Sequence, residues 1–76
     1  MREVEFKMER KNLVEVGQEV EIIERSSPAN YHYIIKPAVA MSGCFKNMDR
    51  IKSDKGIVKD IKETPRGYYV IVEFDE

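Results

Sequence analysis

The side chains of this chain that could do chemistry are few, and their spacing narrows what that chemistry could be. There is one cysteine, Cys44, and one histidine, His32. A thiolate nucleophile needs an adjacent base and an electropositive setting, and nothing in the spacing of these two residues supplies either. A single cysteine forms no intramolecular disulfide and no cysteine pair for a metal, and a single histidine builds no metal site alone. Free cysteine is among the most buried residue types, so Cys44 is expected to be a buried, inert thiol. No carboxylate pair, nucleophile set, phosphate-cradling glycine loop or ligand cluster stands out. The sequence therefore points to no cofactor and away from catalysis.

Binding chemistry is better represented. From Lys46 to Arg66 the chain carries seven bases (Lys46, Arg50, Lys52, Lys55, Lys59, Lys62 and Arg66) against four acids, Asp49, Asp54, Asp60 and Glu63. Residues 1–25 lean the other way, with five bases and seven acids. Lys46, Arg50, Lys52, Lys55, Lys59 and Lys62 could form a stripe along an RNA or DNA backbone, each phosphate contact releasing counterions. The plainer alternative is a solvated face of interspersed sign. The whole chain favours that alternative: 13 basic and 14 acidic side chains leave a net charge of −1, far from the basic balance typical of nucleic-acid-binding domains.

Aromatic residues supply the other candidates. In Tyr31-His32-Tyr33, alternation sets the two tyrosines on one side and His32 on the other. Exposed, they could stack bases, and His32 could titrate near neutral pH. Packed, the tyrosines fill the core with their hydroxyls at its rim, and this is the expected arrangement. Arg66, with Tyr69 and Ile71 on the second face of the last strand, forms a partner-binding candidate, because tyrosine and arginine are favoured at interface hot spots. The same residues could instead serve self-association, or lie as core beneath the N-terminal strand.

The elements that position these groups read as strands. In a single domain of 76 residues only about 60 % of the unfolded surface can be buried, which favours shallow grooves and sheet edges over a deep cavity. The clearest signal is a hairpin over 56–75, turned at Thr64-Pro65-Arg66-Gly67, with Tyr68, Val70, Val72 and Phe74 on its buried face. Val4, Phe6 and Met8 alternate with charged residues in a first strand, followed by a polar connection at Arg10-Lys11-Asn12. A second strand is expected over Glu19–Glu24, after a bend at Gly17, and a loop over Arg25–Asn30. Tyr31–Lys36 forms a third strand, ended by Pro37. Ala38–Met41 is a short apolar run broken by Ser42-Gly43. The segment near residues 42–51 reads as irregular or as one helical turn, in which Cys44, Met48 and Ile51 would make a narrow apolar stripe. Lys52–Gly56 then turns the chain into the hairpin.

The glycines and β-branched residues at strand spacing resemble a known group. Gly17-x-x-Val20-x-Ile22, Gly56-x-Val58-x-x-Ile61 and Gly67-Tyr68-Tyr69-Val70-x-Val72-x-Phe74-Asp75 together are similar to the small Src-homology-3-like barrels, including the KOW-like group. The resemblance covers about half the chain. It implies an all-β, five-stranded, partly open barrel whose loops or strand edges contact RNA, DNA or a protein partner. The acidic overall balance departs from the nucleic-acid-binding members, and the aromatic and acidic loop pattern of proline-rich-peptide binders is missing. The reading is thus a non-catalytic binding module for a protein partner, with nucleic acid as the alternative. The start of the chain is charged where a secretory signal would be apolar, and no window suits a membrane helix, so a cytoplasmic setting is expected.

Overall fold

Apolar and charged residues in strict alternation favour a strand, because successive side chains leave opposite faces of an extended chain. In a computed structural model, which describes residues 1–10, 13–36 and 40–76, this pattern gives β1 (Arg2–Met8), with Val4, Phe6 and Met8 buried and Glu3, Glu5 and Lys7 exposed. Five more strands follow: β2 (Glu19–Ser26), β3 (Tyr31–Ile35), β4 (Ala40–Ser42), β5 (Lys55–Thr64) and β6 (Gly67–Phe74). All pairings are antiparallel. The order β1-β4-β3-β2-β5-β6 closes on itself, with β1 lying between β6 and β4.

The all-β fold and the small barrel are those expected from the sequence. The strands number six where five were anticipated, and the ring is closed where the resemblance implied a partial opening. The added strand is β4, whose three residues are too few to display a period. Lys11 and Asn12 of the anticipated polar connection, Pro37 as the end of the third strand, and Ala38 and Val39 of the apolar run lie outside the described residues. Strand β2 also runs to Ser26, so the loop expected from Arg25 is confined to 27–30, where the Ser27 amide donates to the Asn30 carbonyl at 2.8 Å.

The helical stripe of Cys44, Met48 and Ile51 does not form. One 3-10 turn, Asn47–Asp49, is all that winds, and only Ile51 is buried; Cys44 is exposed and Met48 is 94 % exposed. Cys44 is therefore not the buried thiol expected. It lies in the connection after β4, where Ser42 takes the inward position and Phe45 packs on the core.

Every strand contributes to the interior. Phe6, Met8, Tyr33, Ile35, Val58, Val70, Val72 and Phe74 are almost fully enclosed, and Val14 and Ile51 enter from outside the strands. Each such side chain contributes about 1.5–3 kcal/mol. Of the face expected to be buried in the hairpin, Val70, Val72 and Phe74 reach 0 % exposure, whereas Tyr68 packs half-buried at its end.

Two backbone features set the hairpin. Thr64 pairs with Gly67 across Pro65-Arg66, and Gly67 has φ +138°, which the missing side chain permits. Between Val58 and Asp60 the register slips at a bulge. Gly56 and Val58 face inward before it; after it Ile61 takes the inward place that unbroken alternation would assign to Asp60 and Lys62. A one-residue slip flips every later side chain, so the bulge keeps two charges out of the barrel.

Gly56 fits because it has no side chain. A Cβ there would lie 2.6 Å from Val72 Cγ1 and 2.8 Å from the Phe74 ring. Gly56→Ala is expected to lower unfolding stability by about 1–3 kcal/mol, the usual cost of overpacking, read as a reduced urea midpoint with an unchanged slope.

Candidate functional site

Two regions of the surface combine shape with polar side chains. The first is the outer face of β4, β1, β6 and β5. Strand pairing places Lys7 directly between Met41 on β4 and Tyr69 on β6, with Lys62 of β5 opposite Tyr69. The next row holds Glu5, Ile71 and Asp60. Tyr69 is half-buried and forms the shared wall of two shallow grooves. One runs along Glu5, Lys7, Glu9 and Met41; the other reaches over Lys62 to the hairpin tip at Pro65 and Arg66.

The fold thus gathers Tyr69 and Arg66 on one groove, as their sequence positions suggested, and keeps Ile71 half-buried on the same face one row away. Strand β1 pairs beside β6 and does not cover it, so these residues are not core beneath the N-terminal strand. Met41, 53 % exposed, belongs to this surface as well. Sequence reasoning missed it because β4 showed no alternation. Through Ile34 and Ile23, its lateral neighbours on β3 and β2, Met41 continues an outward apolar row.

The basic segment is not brought together as one stripe. Lys59 pairs with Glu3 and, at 3.8 Å, with Glu73; the bond to Glu3 raises its pKa. Arg50 is held by Glu24. The side chains of Lys46, Lys52, Lys55, Lys62 and Arg66 make no ion pair among the described residues. Lys55 and Lys62 stand at opposite ends of β5, roughly 20 Å apart at strand rise, with Asp60 on the same outer face.

The second region closes one end of the barrel. Arg50 grips Glu24 with two bonds of 3.0 and 2.5 Å and lies 4.5 Å from the centre of the Tyr31 ring. The Tyr33 hydroxyl donates to Glu24 at 2.8 Å and accepts from the Ile51 amide at 2.8 Å. Tyr33 is therefore core with its hydroxyl at the rim, as expected, and Tyr31 flanks it half-buried. His32 points the other way, paired across the sheet with Arg25. The bond from Arg50, then that from Tyr33, holds Glu24 below its ordinary pKa, while burial, then the carboxylate, pushes Tyr33 above its own. Beside this network is an open cleft of about 520 Å3 floored by Ile22 and Ile51, with Met48 among its lining residues.

No protein family, curated protein or solved structure matches the chain. Among the described residues no cluster of histidine, cysteine, aspartate or glutamate side chains gathers to hold a metal, and no helix is long and apolar enough to cross a membrane.

Removing the Tyr33 hydroxyl leaves the buried Ile51 amide without its acceptor, so Tyr33→Phe is expected to cost about 1–3 kcal/mol by urea denaturation. Glu24 carries a pH signature. Its folded pKa lies below the ordinary 4.5, so its contribution is present above that value and is lost as pH falls through the lowered one. Melting temperatures of wild type and Glu24→Gln should differ at pH 6–7 and converge on acidification. An unchanged gap at low pH would contradict the role assigned to this carboxylate.

Proposed function

We propose that this barrel is a non-catalytic, cytoplasmic binding module that takes a protein partner on the outer face of β1, β6 and β5. The observation that carries this reading is Tyr69, the wall shared by two grooves. A half-buried tyrosine offers a large, rigid contact area with a polar tip, and such residues dominate interface energetics when a polar rim excludes water around them. Here Arg66, Lys62, Lys7 and Glu5 supply that rim, with Ile71 and Met41 as apolar flanks. The resemblance to Src-homology-3-like barrels agrees with a small module of this kind.

The nucleic-acid alternative rests on Lys46, Arg50, Lys52, Lys55, Lys59 and Lys62. It is weakened because Arg50 and Lys59 are spent on glutamates and acids interleave with the rest. Self-association would use the same face around Tyr69 and is one outcome of the test.

For a partner captured on the wild-type protein, Tyr69→Ala should weaken binding by about 2 kcal/mol, and Arg66→Ala by a smaller amount, in calorimetric titration. Glu21→Ala, placed on β2 away from the grooves, should change nothing. A partner indifferent to Tyr69 would refute the assignment. Oligonucleotide binding that weakens steeply with salt and is lost in Lys55→Glu and Lys62→Glu would replace it with the nucleic-acid reading.

A further inference from the structure

Just past the end of β6 the chain folds back, the Glu76 amide donating to the Phe74 carbonyl at 2.9 Å. This sends the Glu76 carboxylate into a ring of donors drawn from distant parts of the sequence. Its Oε2 accepts from the Lys52 amide at 2.9 Å, the Ser53 amide at 3.1 Å and the Ser53 hydroxyl at 3.2 Å. Its Oε1 accepts from the Lys52 amide at 3.2 Å and from Arg2 Nη1 at 3.3 Å. The side chain is only 17 % exposed. Successive main-chain N–H groups aimed at one oxygen make an anion-binding concavity.

Arg2 is fixed there by contacts that do not involve Glu76. Its guanidinium donates to the carbonyls of Asp49 at 2.5 Å and Arg50 at 3.0 Å, and lies 5.5 Å from the centre of the Phe45 ring. The arginine side of the cradle is therefore organised independently of its occupant, while the Lys52 and Ser53 amides find their acceptor in it. Neither Asp75 nor Glu76 adds a side chain to the core, so the occupant is held by its carboxylate and its tether. A carboxylate from another chain would make the same bonds. Glu76 has only the advantage of its effective concentration, on the order of millimolar for a short tether.

What would outweigh that advantage lies alongside. Lys52 and Ser53 also line the open cleft with Ile22, Met48 and Ile51. Met48, at 94 % exposure, is an unbranched and adaptable side chain with no other packing role. The geometry points to a carboxylate-recognition site for an acidic peptide: Arg2, the Lys52 amide and Ser53 hold a glutamate or aspartate side chain, the cleft takes the apolar residue beside it, and Glu76 is a built-in competitor. This site is separate from the grooves around Tyr69 and does not rest on their assignment.

The probe is a fluorescein-labelled hexapeptide with one glutamate flanked by leucines, and its glutamine counterpart, titrated by anisotropy against the full chain. Glu76→Ala should bind the glutamate peptide about tenfold more tightly than wild type does, and the glutamine peptide about tenfold less tightly than the glutamate one. Adding Arg2→Ala should abolish that discrimination. A folded Glu76→Ala protein that binds the two peptides alike, or no better than wild type, overturns the proposal. Should Glu76→Ala fail to fold, the amide resonances of Lys52 and Ser53 in the wild-type protein decide the matter. They should shift with the glutamate peptide up to about 5 mM, in the concentration range of the tether, and not with acetate. No shift, or an equal shift with acetate, counts against an acidic-peptide site.

Discussion

Strand β1 is the piece on which the barrel depends. It pairs with β6 along its whole length, Arg2 opposite Phe74 through Met8 opposite Tyr68, and with β4 at Phe6–Met8. Because it is first in sequence but bonded to the last strand, it turns a sheet with two edges into a ring. Its inward residues Val4, Phe6 and Met8 then meet side chains from strands that could not otherwise reach one another, as the Phe6 and Phe74 rings do at 6.3 Å. The closure is non-local, so its chain entropy must be spent before the core rewards it.

A ring this small encloses little volume, and polar contacts finish what the apolar core leaves undone. The long connection between β4 and β5 has only one 3-10 turn of its own. It is tied down by the Tyr31–Phe45 backbone pair, by Tyr33 reaching the Ile51 amide, by Arg50 on Glu24, and by Arg2 and Glu76 at its far end. All of these ties except the Arg50–Glu24 ion pair satisfy main-chain groups that regular structure would have paired elsewhere. The same ties leave Met48 and the cleft beside it exposed, while Ile51 and Phe45 of the same segment pack inward.

Much of this was legible where local pattern and fold agree. Val4, Phe6 and Met8, the turn at Pro65-Arg66 and the inward set Val70, Val72 and Phe74 follow from period and turn chemistry alone. The sequence failed where periodicity was too short or where one residue broke it. Ala40–Ser42 has no alternation to display, and the slip between Val58 and Asp60 is set by cross-strand register. Cys44 was misplaced because residue type, and not position after β4, was used to infer burial. Type and face put Tyr69 and Arg66 on a common surface, but not Met41, because its place opposite Lys7 is a property of pairing. The carboxylate cradle was invisible for a deeper reason: Arg2, Ser53 and Glu76 are united only by barrel closure.

The bulge in β5 has one more effect. Pairing with β2 covers only Lys55–Ile57, while β5 itself continues to Thr64. Just past the slip, Asp60 turns its carboxylate onto the Ile61 amide at 2.8 Å, engaging a donor of the outer strand border with a negative charge from the chain itself. An incoming strand would have to displace that carboxylate before it could add to the sheet, and would meet its charge while doing so. Asp60 thus leaves this border of β5 less open to strand addition than a bare amide would be.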